Sequence, residues 1–286
     1  MGSDGAMLPR SEPRSSCPWR RPPIRSSRPM RPLVLLSNDD GYASRGIQAL
    51  RKALAVHADV VVVAPETEQS ATSHALSLHR PLRLRRVEEG LFAMDGTPAD
   101  CVYVALHAGD RIVPRRPDLV MSGINHGMNL GRDAFYSGTV AAAREGALRG
   151  IPAVASSAWV TVDFAKAAEL SVRIALALLE ERAEGPVPVP TLLNVNFPKD
   201  WTGGLRSTRL GARIYEDVID FRRDPRGREY LWLGGPGVWH EHEAASDTDA
   251  YDQGVASITP LILDLTDVAG APLASRVALR AMQEHS

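Results

Sequence analysis

Cysteine is scarce in this sequence, since only Cys17 and Cys101 occur among 286 residues. Cys17 belongs to a tail rich in Arg, Pro and Ser, whereas Cys101 lies in an apolar run with helical spacing. A disulfide-stabilised scaffold and a cysteine-based metal site both need several cysteines at close, regular spacing. The sequence therefore argues against both classes.

Long apolar runs and an excess of charge are missing as well. No segment approaches the roughly 18 apolar residues that a membrane-spanning helix needs, and the net charge is -1. We therefore expect neither a membrane nor a nucleic-acid duplex as partner, because both attract strongly basic surfaces. A cytoplasmic location is the default expectation.

Residues 1–30 lack the apolar centre of a secretory signal. We interpret them as a disordered N-terminal extension that comes from an expression tag or an upstream start codon, with Met30 as the natural start. An organelle transit peptide is the alternative interpretation, because the segment is rich in Arg and Ser and poor in acids.

What the sequence does contain is an alternation of apolar runs and helical patterns. Leu33–Ser37 and Asp59–Pro65 predict strands buried on both faces, and Ile47, Leu50 and Leu54 predict a helix over 44–56. This order is typical of a parallel sheet with a right-handed crossover. The sequence thus predicts an α/β fold with a mostly parallel sheet and flanking helices.

The same rhythm continues to about residue 200. Further strands are predicted over 76–87, 92–94, 118–122, 152–156 and 192–196, and further helices over 98–108, 139–149 and 164–182. Thr97 and Pro98 are typical of a helix start, and Gly150 of a helix end.

The alternation of predicted strands and helices ends at about residue 200. Residues 206–233 predict strands joined by the turn 224–227, a protruding C-terminal β-arm that would need a partner surface. We therefore divide the chain into the extension 1–30, a catalytic core over 31–200, and a C-terminal segment over 201–286. In this segment the arm serves oligomerisation, and the chain then returns to the core.

The loops after the strands carry the candidate site, because ligands of open parallel sheets bind beyond the carboxyl ends of the strands. Asn38-Asp39-Asp40-Gly41 follows the first strand. Two adjacent carboxylates repel each other unless a cation compensates, and a hard ion such as Mg²⁺ or Mn²⁺ prefers oxygen ligands. A plain acidic turn is the alternative. Ser70 and His74, after the second strand, are further candidates. We interpret the loop over 94–100 as structural, and Asp95 is its one candidate site residue.

A glycine-rich stretch over 122–139 follows a later strand and ends in Ser137-Gly138-Thr139 at a predicted helix start. Glycines let a backbone approach a ligand closely, and a helix N-terminus offers unpaired N–H groups to an anion. Asn129, Ser137 and Thr139 add side-chain donors. The stretch therefore indicates a phosphate-binding loop, and a flexible connector is the alternative.

Five segments, in order, resemble the SurE survival-protein nucleotidases, over about Arg31 to Leu263. They are Ser-Asn-Asp-Asp-Gly, Ala-Pro-Glu-Thr-Glu-Gln-Ser-Ala-Thr, Asp-Gly-Thr-Pro-Ala-Asp-Cys-Val, Ser-Gly-Ile-Asn-His-Gly-Met-Asn-Leu-Gly-Arg-Asp and Tyr-Ser-Gly-Thr-Val-Ala-Ala-Ala-Arg-Glu-Gly. The chain departs from the family at Ser73, where many members have glycine. His126 stands at a position that varies, and we assign it no role.

The resemblance implies a Rossmann-like core with one divalent metal ion per subunit (Mg²⁺, Mn²⁺ or similar), held by Asp39, Asp40, Ser70 and Asn125. It implies hydrolysis of nucleoside 5′-monophosphates, and also of 3′-monophosphates, with looser action on other phosphate esters and short polyphosphate. It further implies that the C-terminal arm is exchanged between subunits, giving dimers or tetramers.

We therefore predict a metal-dependent nucleotidase in which Asp39 and Asp40 are catalytic. The phosphate would lie among five further residues, namely Asn38, Asn129, Ser137, Gly138 and Thr139. A metal-activated water is the favoured nucleophile, and an aspartate acting as base or attacking directly is the alternative.

Three other classes of protein share part of this sequence pattern. Aspartate-nucleophile phosphatases carry Asp-x-Asp-x-Thr, whereas the acids here are adjacent. Receiver domains need an aspartate at the end of a later strand, and the matching strand here ends in Met121-Ser122-Gly123. A nucleotide-binding module without turnover stays open, although it has no need of two acids facing an anionic ligand.

Overall fold

The computed structural model describes residues 30–185, 187–215, 219–234 and 238–282. The chain divides into two units, Met1–Met30 and Arg31–Ser286, and every helix and strand named here lies in the second. The predictions for residues 1–29, including the setting of Cys17, lie outside the described residues.

The strands are β1 (Leu33–Ser37), β2 (Asp59–Pro65), β3 (Leu84–Glu88), β4 (Leu91–Met94), β5 (Leu119–His126), β6 (Ala153–Ala158), β7 (Leu192–Phe197), β8 (Leu205–Ser207), β9 (Arg213–Tyr215), β10 (Ile219–Arg223), β11 (Glu229–Leu233), β12 (Val238–His240) and β13 (Ala256–Leu261). The helices are α1 (Arg45–Leu54), α2 (Pro98–His107), α3 (Asp133–Tyr136), α4 (Gly138–Leu148), α5 (Phe164–Glu184), α6 (Asp247–Asp252) and α7 (Ala271–Ala281), with a 3₁₀ turn at Gly109–Arg111. None of these described helices is long and apolar enough to cross a membrane.

Nine strands form one sheet in the order β3-β4-β2-β1-β5-β6-β7-β13-β8. From β4 to β7 every pairing is parallel, whereas β3 and β13 are antiparallel to their neighbours β4 and β7. The predicted Rossmann-like α/β fold, with a mostly parallel sheet and flanking helices, is confirmed.

Helices cover both faces of this sheet. Val34 and Leu36 of β1 belong to the apolar cluster that contains α1 and α5, while Leu33 and Leu35 belong to the cluster that contains α2 and α4. Successive side chains of a strand point to opposite faces, so a strand covered on both faces must be apolar throughout. The carboxyl edge of the parallel strands is then the natural place for a ligand.

The helix boundaries are close to those predicted. Thr97 caps α2 in a capping box with Asp100, and Pro98 stands in its first turn. Gly150 has a positive φ of 69° just after α4, which is the backbone conformation that a C-terminal glycine accommodates. Cys101 is buried in α2, as expected from its apolar surroundings.

Two predictions were wrong in extent. The strand predicted over 76–87 begins only at Leu84, and the preceding residues form turns and irregular backbone. Pro81 lies in that segment, and proline has no N–H to give to a strand ladder. The predicted loop over 122–139 is shorter, because β5 resumes its pairing with β6 after a register shift and continues to His126, and because α3 forms a short helix within it.

The C-terminal segment is more varied than the sequence indicated. β8 and β13 join the main sheet, β9 pairs with β12, and β10 pairs antiparallel with β11 across a turn at Asp224 and Gly227. Helices α6 and α7 were not predicted. The β10–β11 hairpin carries six large exposed apolar side chains, namely Ile219, Phe221, Tyr230, Leu231, Trp232 and Leu233.

Candidate active site

The loop after β1 is shaped by Asn38. Its side-chain Nδ2 donates to the carbonyl of Gly41 and to Oγ of Ser44, both at 2.9 Å. These bonds use both amide hydrogens, and the Oδ1 atom is buried without a partner among the described residues. Asn38 therefore holds the loop that carries the two acids, and it has no amide hydrogen left for a phosphate.

Asp39 is buried against the start of α4, with 5% of its surface exposed. Its Oδ1 accepts a hydrogen bond from the Thr139 hydroxyl, and its carbonyl accepts one from the N–H of Gln69 at 2.8 Å. A Cβ atom on Gly138 would lie 2.8 Å from the Cβ of Asp39, so only glycine fits there without displacement. Burial raises the pKa of Asp39 to about 6, against the lowering effect of the Thr139 bond.

Asp40 is held from the end of β5. Its Oδ2 accepts from the backbone N–H of His126 at 3.1 Å, and its Oδ1 lies 3.8 Å from the His126 Nδ1. Burial raises the pKa of Asp40 to about 6, the His126 bond lowers it, and the charge of Glu68 adds to the rise. Two neighbouring carboxylates, one buried and one partly buried, that both resist ionisation are an arrangement that a bound cation stabilises.

Ser70 and Asn125 are each the chain neighbour of a residue that is bonded to one of these acids. Ser70 follows Gln69, which is bonded to Asp39, and its Oγ donates to Glu68 Oε1 at 2.7 Å. Asn125 precedes His126, and its Nδ2 donates to the carbonyl of Gly127 at 3.0 Å. One amide hydrogen of Asn125 is thus used, and its oxygen is the atom suited to a cation.

The donor set of Asp39, Asp40, Ser70 and Asn125 fits a hard divalent ion, because it consists of carboxylate, hydroxyl and amide oxygens. The described residues contain no group of three or more His, Cys, Asp or Glu side chains placed to hold a metal. A soft or nitrogen-rich site is accordingly not found in this part of the chain.

The glycine-rich loop between β5 and α4 is fixed by a buried amide network. Asn129 is 7% exposed, and its Nδ2 donates to Ser157 Oγ at 2.7 Å. Its backbone N–H donates to Asn196 Oδ1 at 2.8 Å, and its carbonyl accepts from Asn194 Nδ2 at 2.8 Å. The alternation Asn194-Val195-Asn196 within a buried strand was the sequence signal for this network, and it was missed.

A second set of hydrogen bonds joins the same loop to the C-terminal segment. The buried carboxylate of Asp247 accepts from the N–H of Gly131 at 2.9 Å and from the N–H of Gly211 at 2.8 Å. A Cβ atom on Gly131, whose φ is +51°, would lie 2.3 Å from the carbonyl oxygen of Gly211. The backbones of residues 131 and 211 therefore touch, with Asp247 bridging them.

Ser137 ends the loop and caps α4, since its Oγ accepts from the N–H of Val140 at 3.1 Å. The Ser137 hydroxyl hydrogen is not used in that bond. The structure thus brings Ser137, Gly138 and Thr139 to the acid pair, with Thr139 bonded to Asp39 itself.

The loop that carries Ser70 is anchored by His74. The Nε2 of His74 lies 2.9 Å from Oε2 of the buried Glu145, whose Oε1 accepts from Arg149 at 2.8 Å. Burial alone would raise the pKa of Glu145, but the bonds from His74 and Arg149 outweigh it and lower that pKa. Glu145 had no distinguishing mark in the sequence beyond its place in an alanine-rich helix.

Among the described residues, no hydrogen bond or ion pair links Asp95 to Asp39 or Asp40. Its Oδ1 accepts from the N–H of Arg83 at 2.7 Å, and its carboxylate lies 3.6 Å from Arg80 and 3.5 Å from the Arg83 guanidinium. Asp95 thus fastens the segment before β3 and fits the structural interpretation of its loop.

Comparisons with known proteins agree with this geometry. Residues 34–217, more than half of the chain, match the family model described as Survival protein SurE. The 5′-nucleotidase SurE of Sorangium cellulosum is 62% identical over 237 residues, which cover 82% of this chain and 92% of that protein. The 5′-nucleotidase SurE of Methylococcus capsulatus is 46% identical over 252 residues, covering 85% and 98%.

A solved structure shows the same fold. The crystal structure of the SurE protein from Aquifex aeolicus superposes with a TM-score of 0.75 at 38% identity, covering 86% of this chain and 100% of that one. The residues that match the family model include the acid loop after β1 and the start of α4. The chain belongs to the SurE survival-protein family.

Proposed function

We propose that this chain is a metal-dependent nucleotidase that hydrolyses nucleoside 5′-monophosphates, and also 3′-monophosphates, to nucleoside and phosphate. The observation that carries the proposal is the pair Asp39 and Asp40, a buried acid and its partly buried neighbour, held by Thr139 and His126 at the carboxyl edge of the sheet. The names of the relatives, 5′-nucleotidase SurE, point to the same activity.

Asp39, Asp40, Ser70 and Asn125 would hold one divalent ion such as Mg²⁺ or Mn²⁺. A bound ion of this kind neutralises charge on a phosphoryl oxygen and lowers the pKa of a bound water. Without a cation, the two acids would repel a phosphate monoester electrostatically. Metal dependence of the activity therefore follows from the same acid pair.

The phosphate would lie at the N-terminus of α4. The Gly138 backbone N–H, the Ser137 hydroxyl and the second amide hydrogen of Asn129 are suitable donors, and a helix start favours an anion. Thr139 and Asn38 act by positioning, because their donors are directed to Asp39 and to the loop backbone. This division refines the set of phosphate contacts expected from the sequence.

We favour water as the nucleophile. Asp40 is the more exposed of the two acids, which suits it to contact a water molecule and accept a proton from it. Direct attack by an aspartate on phosphorus is the competing mechanism, and it would leave an acyl phosphate on the protein. The stereochemistry at phosphorus separates the two, because a single displacement by water inverts a chiral phosphorus centre, whereas two displacements through an acyl phosphate retain its configuration.

Phosphate release from adenosine 5′-monophosphate with Mn²⁺, and with EDTA, tests the function. We expect release only with metal, and at least a thousandfold loss in Asp39→Asn, while the circular dichroism spectrum stays native. The exposed Asp110 offers a matched control, Asp110→Asn, with wild-type rates. Nucleotide binding without release in the wild-type protein would instead establish a binding module, and full activity in Asp39→Asn would overturn the assignment.

We also propose that the chain self-associates as a dimer or tetramer through the C-terminal arm, and that it acts in the cytoplasm. The six exposed apolar side chains of the β10–β11 hairpin support self-association, because an isolated two-stranded hairpin is marginally stable in water.

A further inference from the structure

A cavity of about 620 Å³ opens between the first turn of α1 and the loop from β6 into α5. Its walls come from Arg45 and Gln48 on one side and from residues 160–165 on the other. Because α1 follows the acid loop and α5 follows β6, this cavity lies at the same edge of the sheet as the acid pair. Its volume is within the range of about 300–1,000 Å³ typical of small-molecule pockets.

His126 connects the acid pair to this cavity. Its backbone N–H is bonded to Asp40, and its ring packs on the ring of Phe164, with 4.9 Å between centroids. A ligand whose phosphate lies at the acid pair can therefore extend past His126 and reach the cavity with its other end.

Arg45 supplies a flat wall at the cavity. The guanidinium carbon lies 5.8 Å from the centroid of the Phe164 ring, within the range of about 6 Å of a cation–π contact. Arg45 is exposed, and no described carboxylate lies within 4 Å of it. The Arg45 guanidinium thus lies over the Phe164 ring and is exposed at the cavity wall.

Hydrogen-bonding groups surround that wall. The Nε2 of Gln48 donates to the carbonyl of Tyr42 at 2.7 Å, which fixes the side chain and leaves its oxygen as an acceptor. The Asp163 carboxylate accepts from the N–H of Ala165 at 2.9 Å and has a second oxygen. These acceptors suit the exocyclic amino groups of a nucleobase.

We propose that this cavity is the nucleoside subsite, in which the base of the substrate stacks on the Arg45 guanidinium with Phe164 behind it. The proposal rests on the nucleotidase function and deepens it, since it names the residues that distinguish a nucleotide from other phosphate esters. Gln48 and Asp163 accept hydrogen bonds from the edge of the base.

The test compares adenosine 5′-monophosphate with ribose 5-phosphate, which has the same ester and sugar but no base. In Arg45→Ala we expect the ratio of their kcat/KM values to fall about tenfold, through the KM of the nucleotide, because a stacked base contributes equally before and during the reaction. Arg45→Lys keeps the charge without the planar group and should show a similar fall. Lys52→Ala, which removes an exposed charge from the same helix, should keep the wild-type ratio.

Binding of adenosine to the metal-free protein, measured by calorimetry, gives a readout that needs no catalysis. We expect about tenfold weaker binding in Arg45→Ala and in Phe164→Leu, with no change in Lys52→Ala. A wild-type ratio in Arg45→Ala overturns the subsite, and a wild-type ratio in Arg45→Lys overturns stacking in favour of charge alone. If the wild-type protein hydrolyses neither ester with Mn²⁺, the nucleotidase proposal itself fails.

Discussion

Asp39→Asn should make the metal-free protein more stable at alkaline pH while removing its activity. Burial raises the pKa of Asp39 from 3.8 to about 6, so the folded protein holds this proton more tightly than the unfolded chain does. The stability that this group supports is therefore greatest below about pH 4, declines as pH rises to about 6, and is lost above that. At about 1.4 kcal/mol per pKa unit, the full difference is about 3 kcal/mol.

Urea unfolding in EDTA at pH 5 and pH 8 measures this effect. Asparagine cannot ionise, and it weakens the bond from Thr139 by about 1 kcal/mol. We therefore expect Asp39→Asn to exceed the wild-type free energy of unfolding by about 1–2 kcal/mol at pH 8, and by less at pH 5. Comparing the two proteins at each pH cancels most of the contribution of other groups, such as His126.

Adding Mn²⁺ at pH 8 completes this experiment. The ion should stabilise the wild-type protein and stabilise Asp39→Asn far less, because one anionic ligand is gone. If the two proteins show the same dependence on pH in EDTA and the same gain with Mn²⁺, the buried acid is not what the metal compensates, and the electrostatic reasoning fails.

Three further changes have defined outcomes. Gly138→Ala should lower kcat/KM by about 10- to 100-fold by displacing the neighbouring acid. It should also lower the Tm, because a Cβ atom there would lie 2.8 Å from the Asp39 Cβ, and overpacking of about 1–3 kcal/mol outweighs the helix preference of alanine. His74→Ala should weaken Mn²⁺ binding about tenfold in a calorimetric titration by freeing the loop from Glu145, and His74→Gln, which keeps a donor, should restore part of the affinity. Trp232→Ser should shift the protein toward monomers in light scattering, whereas Val56→Ser, at an even more exposed apolar site, should not.

The central strands could be predicted because burial on both faces demands uninterrupted apolar sequence, and β1 and β2 show it plainly. Loops that follow such strands at the carboxyl edge are few, which is why the acid pair could be recognised as the candidate site. The strand expected over 76–87 was overextended, because the prediction followed the alternating pattern and did not take account of Pro81, which cannot donate to a strand ladder.

Contacts between distant segments were beyond the sequence pattern. Thr139 was expected to face the phosphate, yet its hydroxyl bonds Asp39, which lies 100 positions away in the chain. Glu145 pairs with His74 across 71 positions. This contact could not be predicted, because a glutamate in an alanine-rich helix is expected to be a solvated side chain. The backbone N–H of His126, which holds Asp40, has no signature, since every residue except proline carries that group.

The bridge made by Asp247 has a consequence for biosynthesis. Gly131 and Gly211 are joined by hydrogen bonds to a carboxylate that lies 116 residues beyond Gly131. Most of the chain must therefore leave the ribosome before these hydrogen bonds can form. Most of the central sheet can assemble earlier, because its parallel strands lie between residues 33 and 197, apart from β8. Folding of the scaffold and maturation of the loop beside the acids are therefore separate events, and a nascent polypeptide that stops short of residue 247 would have a sheet without a finished catalytic edge.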